Sequence, residues 1–516
     1  MAESHARRSH GEPTHDEGIV FPAGEDGGRS TIAAGRQVVA DALRAVAPEK
    51  AAAAAAERDW RGRYPQHVRA LVACSLEHPS NAIAIARAGL DAAYRRFEFA
   101  RGGRRVPLAR AASLTPAFDF RTAAVQGRGD DRPAAFEVPL GREALSGDRL
   151  LRQLERWERD GVLEPSHAEA VRQVQAHPDW LDLSDRCFVL LGAGAEAGPL
   201  AWLARWRARI AAVDVARPAA WERLARVAHE GNAALVAPLR PGAGEAAGTP
   251  GADLLTEVPE LARWIASQSG PLTVGAYAYL DGAQHVRVSL AMDSLMRATR
   301  AARPDVSLAW LATPTDVYAV PEAAVRFSLE RFARRPLAEA LWRKPVQLAS
   351  GRRFFQPNYE SAVDASSGRR YGISDCLVTQ QGPNYALAKR LQQWRALAAR
   401  DDGTPVSLRV APSTTTRSVI SNRALAAAFA ASRSFGVEPF APETTRALMA
   451  AQLVHDLRNP RSSADPSTFL ANPLELFMDG ANHGGMWRMP FAARSALPFA
   501  AAFGWFRAQP AGRREA

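Results

Sequence analysis

The chain has 516 residues, of which 47% are apolar and 23% are charged, and its formal net charge is +11. This composition is typical of a globular protein with a large buried core, and the length predicts two or three structural units. No uncharged apolar run approaches the roughly 18 residues that a membrane-spanning helix needs, so we expect no integral membrane segment.

The positive charge does not indicate a nucleic-acid partner. Of the 65 basic residues only Lys50, Lys344 and Lys389 are lysines. The arginines are spread along the chain beside acidic residues, as in "RLLRQLERWERDG", which is typical of solvated helix faces. The 3 cysteines lie far apart with no CxxC spacing. They predict neither a disulfide framework nor a zinc site, and they favour a cytoplasmic location.

Four regions follow one another along the chain. Residues 1–30 lack the apolar core of a secretory signal and are predicted to form a disordered polar tail. Residues 31–183 are predicted to be mainly helical, although residues 102–147, which are rich in Gly, Pro and Arg, are expected to be irregular. Residues 184–420 form the central domain. Residues 421–516 are interpreted as a cap whose aromatic segments indicate a bulky apolar small-molecule substrate.

Short apolar runs alternate with helical stretches in the central domain. The first run is "CFVLL", the second is "RIAAVDV", and the alternation predicts a parallel sheet with helices on both faces. Residues 317–370 interrupt the pattern and are interpreted as an insertion, after which "YGISDCLVTQ" resumes it. The predicted fold class is therefore α/β, with a doubly wound, mostly parallel Rossmann-like sheet, a helical N-terminal extension and a C-terminal cap.

A glycine-rich turn follows the first strand of this alternation. Gly192, Gly194 and Gly198 give the spacing G-x-G-x-x-x-G ahead of a predicted helix. Such a turn lets a pyrophosphate approach the N–H groups at a helix N-terminus, and Asp214 ends the next strand, where a carboxylate can bind ribose hydroxyls. We therefore predict an NAD or NADP cofactor. Asp214 favours NAD because it would repel a 2′-phosphate, whereas Arg217 could accept NADP.

Two alternatives to a dehydrogenase stay open at this point. Methyltransferases also place a glycine-rich turn after their first strand and an acid after the second, and there the pair holds S-adenosylmethionine. The other alternative is a Rossmann-like module without catalytic activity, which binds a nucleotide or a partner. The turn itself could also be kept for packing, with no ligand.

Tyr385 and Lys389 lie four residues apart in "NYALAK", at the start of a predicted helix, so their side chains share one face. In a chain that otherwise uses arginine, a retained lysine indicates a role for a compact ammonium group. The ammonium would favour the tyrosinate and lower the phenol pKa, which would make Tyr385 a general acid or base near neutral pH. The alternative is an ordinary pair on an exposed helix face.

The glycine turn, the acid after the second strand, Y-x-x-x-K at a helix start and a strand ending in "VAPSTTT" together resemble the short-chain dehydrogenase/reductase family. The resemblance covers roughly residues 185–420 and implies hydride transfer between NAD(P)H and a carbonyl or alcohol carbon. It also implies that Tyr385 is the catalytic acid or base, that Lys389 tunes it, and that Thr414 lies on the nicotinamide side. Ser374 is the nearest candidate for the family's catalytic serine. The glycine spacing departs from the family's G-x-x-x-G-x-G, and the family's Asn-Asn-Ala-Gly segment is absent.

Ligands of doubly wound sheets bind beyond the carboxyl ends of the strands. Further polar residues in that position are Tyr279, Asp281 and His285 after the fourth strand, Thr313, Thr315 and Asp316 after the fifth, and Ser413 and Thr414 after the sixth. Among them Thr313 and Thr414 are candidates for cofactor contacts. His285 could shuttle protons, or it is an ordinary helix-start residue with Asp281 as the N-cap. The 11 histidines show no HxxxH or HExxH spacing, so no metal site is predicted, and a homo-oligomer is compatible with the sequence.

Overall fold

The computed structural model describes residues 17–24, 27–242, 248–334, 337–351, 353–378, 381–416 and 423–508. Most of the predicted polar tail lies outside these described residues. The strands are β1 (Gly18–Val20), β2 (Glu98–Arg101), β3 (Arg104–Pro107), β4 (Arg121–Gln126), β5 (Val138–Leu140), β6 (Glu143–Leu145), β7 (Cys187–Leu191), β8 (Arg209–Val213), β9 (Ala234–Leu239), β10 (Leu272–Ala276), β11 (Val306–Ala312), β12 (Val317–Pro321), β13 (Val363–Asp364), β14 (Arg370–Asp375) and β15 (Val406–Val410).

The α-helices of the described part are interspersed with these strands along the chain. They are α1 (Thr31–Arg44), α2 (Pro48–Ala56), α3 (Trp60–Glu77), α4 (Pro79–Arg96), α5 (Gly147–Arg159), α6 (Pro165–Ala176), α7 (Leu200–Leu203), α8 (Pro218–Glu230), α9 (Val258–Ala266), α10 (Ala283–Ala302), α11 (Glu322–Ala333), α12 (Leu337–Ala349), α13 (Gly382–Asp401), α14 (Arg423–Ala431), α15 (Pro442–Arg458), α16 (Glu475–Met478) and α17 (Ala493–Ala508). None of the described helices is both long and apolar enough to cross a membrane.

A seven-stranded sheet lies at the centre of the fold, in the order β15-β11-β10-β7-β8-β9-β4. Neighbouring strands are parallel throughout, except that β4 runs antiparallel to β9. The chain adds β7, β8 and β9 outward in one direction and then crosses back to add β10, β11 and β15 in the other. The winding therefore reverses between β7 and β10, and the predicted α/β class with a mostly parallel sheet is confirmed.

Both faces of the sheet are covered, and the strand side chains alternate between two cores. Val189 and Leu191 of β7 belong to the core shared with α1, α3, α4, α9, α10 and α13. Phe188 and Leu190 belong to the core shared with α5, α6, α7, α8 and α15. Burial on both faces explains why β7 is a continuous apolar run without an alternating polar pattern.

Two segments that were predicted to lack regular structure form strands. Gly18–Val20 pairs antiparallel with β2, and the Ile19 side chain is 0% exposed, so the predicted tail is wrong for these residues. Arg121–Gln126 becomes the antiparallel edge strand of the main sheet, next to β9, so the prediction of an irregular segment is wrong here as well. The side chains of this edge strand are largely exposed, which explains why its sequence has no apolar pattern.

The strand predicted at "YGISDC" exists as β14, but it does not belong to the main sheet. It pairs antiparallel with β12 and β13 in a separate three-stranded sheet. The segment that was interpreted as an insertion therefore contributes to a small sheet. Along the chain, α11 and α12 lie between its strands β12 and β13. Main-sheet alternation resumes only at α13 and β15.

The C-terminal region contributes directly to the core of the sheet. Ala447, Leu448 and Ala451 of α15 pack in the second core together with Phe188 and Leu190 of β7. The interpretation of residues 421–516 as a cap over a substrate cleft stays a prediction, whereas α15 serves as a covering helix of the sheet.

Candidate active site

The carboxyl ends of β7 and β10 meet at the point where the winding reverses. The Ala278 N–H donates to the carbonyl of Leu191, 2.9 Å away. Gly192 has a φ of 89°, and a Cβ at this position would lie 2.5 Å from the Ala278 backbone. Gly192 is therefore required by the close approach of the two strand ends, because any larger residue would clash with backbone.

The N–H groups of the glycine turn already have partners within the protein. Those of Gly192 and Ala193 donate to the Val213 carbonyl at 2.9 and 3.1 Å. The Gly194 N–H donates to Oδ2 of Asp214 at 2.7 Å. The turn is thus fastened to the end of β8 and does not present these donors to a ligand.

The helix that follows the turn is much shorter than predicted. The Gly198 N–H donates to the Ala195 carbonyl at 2.9 Å, and α7 ends after one turn. A single turn lacks the aligned peptide dipoles that hold a pyrophosphate. In this conformation the glycine turn does not fit the pyrophosphate of a dinucleotide, and the predicted role of Gly192, Gly194 and Gly198 as a phosphate cradle rests on the sequence alone.

Asp214 fits the predicted ribose contact better than the turn fits the pyrophosphate. It lies directly after β8, is partly exposed, and accepts the Val215 N–H at Oδ1 at 2.8 Å as well as the Gly194 N–H at Oδ2. Each carboxylate oxygen keeps a second lone pair, so the oriented side chain can still accept hydroxyl groups.

The predicted catalytic tyrosine meets the residues that follow β11. Tyr385 lies in the first turn of α13, where burial raises the pKa of its hydroxyl and the nearby side chains of Thr313 and Thr315 oppose that rise. The two threonine hydroxyls are themselves 2.9 Å apart. The Thr313 carbonyl accepts the Tyr318 hydroxyl at 2.8 Å, which anchors the loop on the small sheet. Three hydroxyl groups therefore converge at the carboxyl edge of the main sheet.

Lys389 lies one helical turn after Tyr385, on the same face of α13. Its Nζ is 5.6 Å from the centroid of the Tyr385 ring, and it donates to Oε1 of Gln392 at 3.3 Å. Burial lowers the pKa of Lys389 to about 8, against the opposing effect of the Asp316 carboxylate. Burial raises the pKa of Tyr385, so the predicted lowering of its phenol pKa by Lys389 is wrong. Desolvation disfavours the charged phenolate, and Tyr385 keeps its proton at neutral pH.

His285 completes the cluster from the first turn of α10. Its ring stacks on Tyr385 with centroids 5.4 Å apart and packs against Tyr279 at 4.7 Å. The side chain is 1% exposed, and neither ring nitrogen has a hydrogen-bond partner among the described residues. Burial and the nearby Lys389 lower the pKa of His285 to about 3, so the imidazole is neutral at physiological pH.

Two other predicted residues lie in different surroundings. Ser374 is the next-to-last residue of β14, 0% exposed, with its Oγ 3.3 Å from Sγ of Cys376. Thr414 donates to the Pro412 carbonyl at 2.8 Å, and its Oγ1 is 2.8 Å from that of Thr445. No contact between described residues joins either hydroxyl to Tyr385. Thr313 and Thr315 are the hydroxyl residues that the fold brings to the tyrosine.

A buried polar group next to the cluster, centred on Asp316, could be predicted from the sequence only in part. Asp316 is 1% exposed and accepts from the guanidinium of Arg390 and from Nε2 of Gln393, the latter at 3.0 Å. Both donors lie on α13, so the contacts fix this helix against the segment that joins β11 to β12. The position of Asp316 after a predicted strand was the sequence signal for this group. Its partners Arg390 and Gln393 look like ordinary polar residues of a helix in the sequence.

No protein-family model, curated protein or solved structure matches the chain.

Proposed function

We propose that the chain is an NAD(P)H-dependent oxidoreductase that reduces the carbonyl group of a small molecule. The observation that carries this proposal is the cluster at the carboxyl end of β11, where the Tyr385 hydroxyl meets two threonine hydroxyls one turn from Lys389. The strand order supports it, because sheets that reverse their winding in this way bind ligands beyond the reversal point. The resemblance of the sequence to the short-chain dehydrogenase/reductase family points to the same chemistry.

Asp214 would bind the ribose hydroxyls of the adenosine half of the cofactor and would favour NAD over NADP. Lys389 would bind the nicotinamide ribose, and Thr313 would lie beside it. When bound, a reduced nicotinamide supplies the hydride.

Tyr385 would act as the proton donor. Since burial keeps its phenol protonated, the hydroxyl can give a proton to the substrate carbonyl oxygen as negative charge develops there. Thr313 and Thr315, whose hydroxyls are hydrogen-bonded to each other, would orient the hydroxyl, and the Lys389 ammonium would stabilise the charge that Tyr385 and the substrate oxygen acquire. A protonated acid at neutral pH favours reduction of a carbonyl over oxidation of an alcohol as the working direction.

Ligand-induced stabilisation separates this proposal from the two alternatives. We expect NADH to raise the melting temperature, with a stabilisation of about 2.7 kcal/mol at a hundredfold excess over its Kd. Asp214→Ala should reduce the shift, measured against the ligand-free variant. Stabilisation by S-adenosylmethionine alone would replace the proposal with a methyltransferase, and no shift with NADH, NADPH or S-adenosylmethionine would favour a partner-binding module.

The pH dependence of the reaction should report Lys389. Because the pKa of this residue is lowered to about 8, the ammonium carries its charge below that pH and loses it as the pH rises. We expect kcat/KM for carbonyl reduction to fall about tenfold per pH unit above the pKa. Lys389→Arg should retain activity and move this alkaline limb upward, because arginine stays charged. An unchanged limb in that variant would assign the titration to another group.

A further inference from the structure

Two long helices begin side by side at the carboxyl edge of the sheet. α10 and α13 each have 20 residues and pack against one another. Within the described residues, the N-cap positions Gly282 of α10 and Gln381 of α13 provide no side-chain cap hydrogen bond. In the described part of the chain, the N–H groups of Ala283 and Gln284 at the start of α10 have no acceptor. The partial positive charges of two helix N-termini thus add at one place.

An unpartnered buried side chain lies at the same place. His285 is 1% exposed in the first turn of α10, and both of its ring nitrogens lack a partner among the described residues. A buried polar group without a hydrogen bond is costly, so such a group marks a position where a ligand or a water molecule completes the bonding. Tyr279 packs against the imidazole and is itself 51% exposed, so the cluster lies next to the protein surface.

The charges around the cluster leave it positive. The Lys389 ammonium donates to the neutral amide of Gln392 and forms no ion pair within the described structure. The nearest buried acid, Asp316, is already paired with Arg390. Asp281 lies two residues before the start of α10 and is exposed. An exposed carboxylate is screened by solvent far more strongly than the enclosed ammonium.

We propose that the start of α10, His285 and Lys389 together bind an oxyanion, a carboxylate or phosphate group that the substrate carries close to its carbonyl. The Ala283 and Gln284 N–H groups and one imidazole N–H would donate to the anion, and Lys389 would balance its charge. Since His285 stacks on Tyr385, an anion held here places a neighbouring carbonyl next to the proton donor. The assignment of the anion to a substrate rests on the proposed function, whereas the binding site itself does not.

Calorimetric titration of the full-length protein with inorganic phosphate, and separately with acetate, tests the site. We expect saturable binding that is weakened about tenfold or more in His285→Phe and in Lys389→Met, with Lys344→Met as a control that removes the same charge from α12. His285→Phe keeps a ring for stacking. Ala283→Pro is a second variant, because proline is tolerated at the first helical position and removes one of the proposed donors. Circular dichroism of each variant establishes that it is folded.

Absence of saturable binding in the wild type, or equal affinities in the wild type and all three site variants, would overturn the site. Repeating the phosphate titration with saturating NADH identifies the source of the anion. Undiminished phosphate binding supports a substrate group, whereas competition would assign the site to the cofactor's phosphates and overturn the substrate assignment. Phosphate binding by a protein that neither binds nor oxidises NADH would refute the oxidoreductase and leave the anion site standing.

Discussion

Replacing Tyr385 by phenylalanine is expected to lower kcat for NAD(P)H-dependent carbonyl reduction by about 10²- to 10⁴-fold, the usual contribution of a positioned general acid. The variant keeps the ring that stacks on His285 and loses only the hydroxyl that meets Thr313 and Thr315. Cofactor affinity should therefore stay close to that of the wild type. Steady-state kinetics with a panel of aldehydes and ketones, together with NADH titration by fluorescence, measure both quantities.

Tyr371→Phe is the matched control. Tyr371 lies on β14, its hydroxyl donates to Oε1 of Glu475 at 2.7 Å, and burial raises its pKa to about 12. This control removes a tyrosine hydroxyl away from the candidate site and should leave kcat unchanged. If Tyr385→Phe retained the wild-type kcat, Tyr385 would not be the proton donor, and an equal loss in Tyr371→Phe would point to a general effect on the fold.

The architecture of the sheet could be predicted because its signal is local. Each parallel strand is a short apolar run buried on both faces, and "CFVLL" at β7 is readable without any knowledge of its neighbours. A largely exposed edge strand has no such apolar run, which is why the strand at Arg121–Gln126 was not predicted. The assignment of β14 failed for a different reason, because sequence periodicity identifies a strand but does not say which sheet it joins.

The candidate site could be predicted in part. Tyr385, Lys389 and Thr313 were selected by helix spacing and by strand ends, and the fold brings them together. The direction of the Tyr385 pKa shift could not be predicted, because it depends on desolvation by side chains distant in sequence. The hydrogen bonds from the glycine turn to the Val213 carbonyl could not be predicted either, because they form only when β7 and β8 are paired.

Arg409 is a buried charged residue of the main sheet. It lies on β15 with 1% of its surface exposed, and its Nε donates to Oδ2 of Asp456 on α15 at 2.8 Å. Its guanidinium also donates to Ser462 Oγ at 3.0 Å, Ser463 Oγ at 2.9 Å and the Asp479 carbonyl at 2.6 Å. The arginine therefore joins the last strand of the sheet to the helix and loops of the C-terminal region.

Arg409→Met is expected to lower the free energy of unfolding by about 3–5 kcal/mol, because it leaves the Asp456 carboxylate buried without its countercharge. Burial works against the ionised acid, but the guanidinium and the hydrogen bonds outweigh it and lower the pKa of Asp456. The stabilisation is consequently present at neutral pH and lost as the pH falls below the ordinary value of 3.8, so the deficit of the variant should shrink in acid. Urea unfolding followed by tryptophan fluorescence at several pH values measures this loss in the free energy of unfolding.

Arg263→Met, which breaks an exposed ion pair with Asp119, is the control and should change the urea midpoint of unfolding little. The double variant Arg409→Met, Asp456→Leu should recover much of the loss, since an apolar replacement removes the stranded charge. A single Arg409→Met variant as stable as the wild type would mean that the pair does not hold the C-terminal region on the sheet.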